Sequence, residues 1–163
     1  MKKQQLEEPL AEYITAMDVA NNAFIGMLGG GGLLGMHQKI KSDFDLLELT
    51  RKGLPKKAIL ALAKKISFPI QELAKVMHIS ERTFQRFDEK ELVKPEYSEK
   101  AIELAKLYLK GEEVFGSLER FKTWMKTPSV FFRNETPVSL LDTSIGFSLV
   151  KEELGRIEHG IFA

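Results

Sequence analysis

The 163-residue chain is long enough for one moderate domain or two small ones sharing a core, and its 44% hydrophobic and 29% charged residues form a globular balance. With no cysteine, a disulfide framework, a thiolate metal site and a cysteine nucleophile are all excluded. The net charge is only +1, but residues 51–100 carry 12 basic side chains against 7 acidic ones, so the middle third alone suits a polyanion.

The first 20 or so residues alternate weakly between polar and apolar and read as a short helix or an arm. Two lysines at the start have no apolar stretch behind them, which argues against a secretory signal. The most apolar run, Ala23 to Met36, is broken by six glycines and falls short of the roughly 20 apolar residues a membrane helix needs. A cytoplasmic protein with no membrane partner is the expectation. Gly29 to Gly32 should interrupt regular structure, with a short strand near Phe24 to Leu28 as the one strand alternative. A phosphate loop would need a Gly-Lys-Ser/Thr ending. This segment closes on Gly35-Met36-His37-Gln38-Lys39, which points to a linker or a partner-contact loop.

Ser42 and Asp43 offer caps to a helix whose buried face would be Phe44, Leu47 and Leu46, and Gly53 stops it. Leu54 to Ile66 is amphipathic, with Pro55 in its first turn and Ile59, Leu62, Ala63 and Ile66 at core spacing. Short helices follow at Pro69 to Met77 and Ser80 to Asp88. A longer one runs from Ser98 to Lys110, ended by Gly111. Then come a helix over Leu118 to Met125, a loop from Pro128 to Pro137, and a last helix from Ser144 to Glu158. Asp142 would cap that last helix, and Ile145, Leu149 and Val150 would be its inner stripe. The fold class is all-α.

Within the basic third, Phe68 to Phe87 (FPIQELAKVMHISERTFQRF) resembles a helix-turn-helix. Ala74 is the small residue where the helices meet. His78 takes the positive-φ turn position, where glycine is usual, and Ile79 is the buried residue after it. Ser80 is the second N-cap and Phe84 the apolar anchor. Glu81, Arg82, Gln85 and Arg86 would then face outward, and the paired donors and acceptors of Arg and Gln match base edges in the major groove. Ser80 and Thr83 suit phosphate contacts at the helix start, with lysines 56, 57, 64, 65 and 75 adding sequence-independent attraction.

The C-terminal third carries an ordered series of marks. They are Val114-Phe115-Gly116, Trp124, Pro128, Thr136-Pro137, Leu140-Leu141-Asp142-Thr143, Gly146 and Leu154-Gly155-Arg156-Ile157-Glu158-His159-Gly160. In these it resembles the toxin-binding domain of the Xre/MbcA/ParS antitoxin family, and the helix-turn-helix is similar to that family's Xre-type half. A departure lies at Arg133 to Glu135, where many relatives have a glycine before the Thr-Pro pair. The expected organisation is an arm and glycine-rich linker over 1–41, a helix-turn-helix domain over 42–96, and a connecting helix with the toxin-binding domain over 97–163.

The resemblance implies a cognate RES-domain toxin that consumes NAD⁺, with the antitoxin's C-terminal segment plugging its cleft. Arg156, His159, Gly160, Ile161, Phe162 and Ala163 are the expected contact set, with Arg156 able to fork to a carboxylate or phosphate. Promoter DNA is the second expected partner. A homodimer is expected because one short recognition helix reads too few base pairs by itself. No catalytic residues, metal or cofactor are expected. The alternative is a stand-alone helix-turn-helix transcription regulator without a toxin.

Overall fold

In the computed structural model, which describes residues 19–36 and 39–160, the described residues are helical, with no strand. Two isolated bridges, Pro55 with Leu92 and Ser129 with Glu135, are the only β pairings among them. The helices are α1 over 19–27, α2 Gly31–Leu34, α3 Asp43–Lys52, α4 Lys56–Ile66, α5 Ile70–Met77, α6 Glu81–Arg86, α7 Pro95–Phe115, α8 Leu118–Met125 and α9 Ser144–Glu158. Two 3-10 turns, Val130–Phe132 and Pro137–Asp142, lie between α8 and α9.

Local chemistry sets most of the boundaries. Ser42 and Asp45 form a capping box: Asp45 N–H donates to Ser42 Oγ at 3.4 Å, and Ser42 N–H donates to Asp45 Oδ2 at 2.9 Å. A further hydrogen bond from the Lys41 N–H, together with that cap, holds the Asp45 carboxyl below its ordinary range. Pro55 precedes α4 with its fixed φ, and Ile59, Leu62, Ala63 and Ile66 form the buried stripe as read from the sequence, with Ala58 added to it.

Four sequence expectations change. Phe24 and Met27 are buried at helical spacing in α1 and Leu28 is buried just after it, so the segment is helix and not the alternative short strand. Gly29 and Gly30 do break the chain at φ +86 and +94, but Gly31 and Gly32 open the further turn α2. The turn lies close over α4, where a Cβ on Gly29 would come within 2.8 Å of Ala61 Cβ. On α3 the buried residue is Leu49, with Leu46 partly covered one turn earlier, because α3 meets α7 on that face. Phe44, at 77% exposure, and Leu47 point outward instead.

The fourth change concerns α7. Pro95 occupies its first turn, and the helix continues through Gly111 to Phe115 before Gly116 ends it at φ 78. At one end Ser98, fully buried, ties α7 to the preceding segments. Its hydroxyl accepts from Leu54 N–H at 2.8 Å and donates to the Val93 carbonyl at 3.0 Å. Further along, Ala101, Leu104, Ala105, Leu107 and Tyr108 are buried in the common core, and α3, α4, α5, α8 and α9 all pack on this one helix.

Gly111 is the point of closest approach between α7 and α8, because a Cβ there would run into the Phe121 ring. Helix propensity alone would make Gly111→Ala stabilising by about 1 kcal/mol. The clash with a fully buried ring outweighs it, and the variant should lose about 1–3 kcal/mol. Gly155, also within a helix, has open space where its Cβ would sit. Gly155→Ala should therefore gain up to about 1 kcal/mol. Thermal unfolding of the two variants should move the midpoint in opposite directions; a matched shift would refute this account of α7.

Candidate functional site

The helix-turn-helix forms from α5 and α6. Leu73, Ala74, Val76 and Met77 bury one face of α5, and His78 ends it in the left-handed region at φ 55, ψ 37. The His78 N–H donates to Lys75 O at 3.2 Å and the Ile79 N–H to Ala74 O at 3.1 Å, which brings the buried Ile79 back under the turn. Ser80 then caps α6 by accepting from Thr83 N–H at 3.0 Å, and Phe84 is the buried anchor. Ser80, Arg82, Thr83, Gln85 and Arg86 are exposed, and Glu81 is half-buried. The Ser80 and Thr83 hydroxyls share one hydrogen bond at 2.7 Å, so a single O–H of that pair is left over for an outside acceptor.

Lysine placement differs from the sequence reading. Lys56 Nζ donates to Gln85 O at 3.1 Å and Phe87 O at 2.8 Å, and lies 5.5 Å from the Phe84 ring centre. It closes the C-terminal end of α6 and so positions the exposed face rather than contributing a free charge. Lys65 Nζ reaches Gly26 O at 3.4 Å. Lys64 and Lys75 are exposed, and Lys57 is half-buried.

The C-terminal part is built on rings. Phe115, Phe121 and Trp124 pack together at 5.5–5.7 Å between centres, and Trp124 meets Phe132 edge-on at 6.2 Å. After the Val130–Phe132 turn, Arg133 and Asn134 adopt φ 56 and 66 in succession, so the chain takes left-handed geometry there without a glycine. Pro137 is buried at the start of the second 3-10 turn. Thr143, not Asp142, caps α9: its hydroxyl accepts from Gly146 N–H at 3.0 Å. The inner stripe is Gly146, Phe147, Val150 and Leu154. Ile145 and Leu149 face out, so of the expected stripe only Val150 is internal.

The end of α9 is held by charges and a ring. Arg156 Nε lies 3.0 Å from Glu153 Oε2, and its guanidinium carbon sits 4.1 Å from the Phe131 ring centre. Lys110 on α7 holds Glu158 at 2.6 Å. Gly155 is accommodated within the helix. His159 and Gly160 are exposed beyond it, with Gly160 at φ 65. Ile161, Phe162 and Ala163 lie outside the described residues. Sequence reasoning missed Phe131, Glu153 and Lys110 as neighbours of this end; the Glu153–Arg156 spacing is legible on a helix, whereas the other two need the fold.

Two family models match in tandem. Residues 45–106 match the antitoxin Xre-like helix-turn-helix domain, and residues 110–160 the antitoxin Xre/MbcA/ParS C-terminal toxin-binding domain. The chain is also similar to Antitoxin Xre of Yersinia enterocolitica serotype O:8 / biotype 1B. The two are 34% identical over 70 residues, which is 42% of this chain and 47% of that protein. The chain thus spans about half the length of the curated relative it matches.

The Lys110–Glu158 pair generates a pH test. Its hydrogen bond holds the Glu158 carboxyl below its ordinary range and the Lys110 ammonium above its own. The depressed carboxyl contributes above the ordinary glutamate range and is lost as pH falls through the lowered value; the raised ammonium fails only in strong alkali. An NMR titration of the Glu158 carboxyl should give a midpoint below that of a free glutamate. In Lys110→Met the midpoint should return upward; an unmoved midpoint would break the link between α7 and the end of α9.

Proposed function

The chain is of the Xre/MbcA/ParS antitoxin type, an Xre-like helix-turn-helix followed by a toxin-binding domain, and from that premise we propose that it neutralises a cognate RES-domain toxin and represses its own promoter. The carrying observation is the ordered pair of matched domains built around one continuous helix, α7. The toxin-binding domain covers the toxin's NAD⁺ cleft with its C-terminal end, from Arg156 through His159 and Gly160 to Ala163. The support for this is local: these described residues are partly or wholly exposed at the end of α9, past the last buried side chain, Leu154.

In the promoter complex Arg82, Gln85 and Arg86, with Glu81 beside them, face the base edges, while Ser80 and Thr83 frame the helix start against the backbone. A homodimer supplies two such helices for an inverted repeat, as a six-residue helix reaches too few base pairs alone. The protein works in the cytoplasm and inhibits by occupancy, without chemistry of its own. Among the described residues no helix is long and apolar enough to cross a membrane. A regulator without a toxin would leave the domain over 110–160 unused.

Two variants separate the activities in cells co-expressing a RES-domain toxin whose reading frame lies next to that of this chain. Arg82→Ala with Arg86→Ala should weaken promoter binding roughly tenfold or more and relax its sequence preference. NAD⁺ protection should be untouched in that variant. Truncation after Leu154 should do the reverse, abolishing NAD⁺ protection while promoter binding persists. Full protection by the truncated chain would rule out the cleft plug, and unchanged promoter binding by the arginine variant would remove α6 as the reading helix.

A further inference from the structure

The outward face of α9 carries a pattern that the core does not use. Ile145, Leu149, Glu152 and Arg156 follow one another at four-, three- and four-residue spacing and so line one side of the helix over about 16 Å. Ile145 is 76% exposed, and Leu149 is also open to solvent, although both are apolar and the buried stripe runs along the other side. At the Arg156 end the row meets the 3-10 turn, where the guanidinium lies on Phe131 and Val130 beside it is 86% exposed. The result is an apolar strip with one acidic and one basic group, running toward Gly160.

We propose that this face, Ile145, Leu149, Val130 and Phe131, is a docking surface for the toxin that leads into the terminal plug at Arg156. The inference rests on the antitoxin reading. Every one of these residues falls within 110–160, the toxin-binding match, and none belongs to the helix-turn-helix match. The strip also reaches the end of α9, where Arg156 lies on Phe131. The partner surface has a defined chemistry: aliphatic or aromatic opposite Ile145 and Leu149, and a carboxylate within reach of Arg156, whose guanidinium already rests on the Phe131 ring. Anchoring by the strip would hold the short C-terminal segment at high local concentration over the cleft, so a weak plug suffices.

The full-length chain and the adjacent reading frame's product supply the test, read by calorimetry and by analytical ultracentrifugation. Ile145→Lys with Leu149→Lys should bind the toxin at least roughly tenfold more weakly, since solvated charge replaces two interface anchors. Ile145→Ala with Leu149→Ala, which keeps helix propensity, should show a smaller loss in the same direction at an unchanged unfolding midpoint. If both variants bind as wild type does, the strip is not the docking surface, although the antitoxin reading stands. If wild type itself fails to bind, both readings fall. If the variants keep toxin affinity but change the mass of the free protein, a second copy of the chain covers the strip and the proposal is overturned.

Discussion

Tyr108 stands at the centre of the molecule, edge-on to Phe68 at 5.7 Å and to Phe121 at 5.0 Å. Phe68 opens the helix-turn-helix, and Phe121 belongs to α8, so one side chain of α7 joins the two matched regions through rings. From Phe121 the series continues through Trp124 and Phe132 to Phe131, on which Arg156 rests. Edge-to-face packing of this kind adds about 0.5–1.5 kcal/mol per pair beyond burial. Burial, with the Glu72 carboxylate nearby, pushes the Tyr108 phenol far above its ordinary range, so it remains a neutral core residue at any working pH.

That interaction explains why α7 cannot be assigned to either half alone. The matched regions end at 106 and begin at 110, within a single helix that runs from 95 to 115. Domains of about 60 residues bury a modest share of their surface and are marginal alone. Here the two regions bury their apolar faces against opposite stretches of one element and share a single core. The ends of α7 then serve different surfaces: Ser98 fixes the segments leading into the helix-turn-helix, and Lys110 fixes Glu158 at the end of α9. A disturbance at Tyr108 or Gly111 would reach both.

What was legible in the sequence is what local chemistry decides. His78 as the left-handed residue, Ser80 as the cap and Phe84 as the anchor all follow from requirements within one or two turns, and each is found in that role. The all-helical class and the stripe of α4 were readable for the same reason. The failures share a different cause. Gly111 reads as a helix stop, but it is needed because Phe121, ten residues away, lies against it. Asp142 and Thr143 are both good caps, and only the path of the preceding turn selects Thr143. Lys56 reads as a solvated charge until α6 is placed beside it.

The misplaced apolar residues differ from these, because they stand exposed where the core pattern would bury them. Phe44 and Leu47 on α3, and Ile145 and Leu149 on α9, have the spacing of a core stripe but stand in solvent on helices that already bury another face. A helix that buries one stripe and exposes a second apolar row spends solubility without gaining stability in the isolated chain. Such local inconsistency concentrates at sites that serve a partner. The misread α9 stripe and the docking face proposed above are therefore one observation: an apolar row at helical spacing that the core of this chain does not cover.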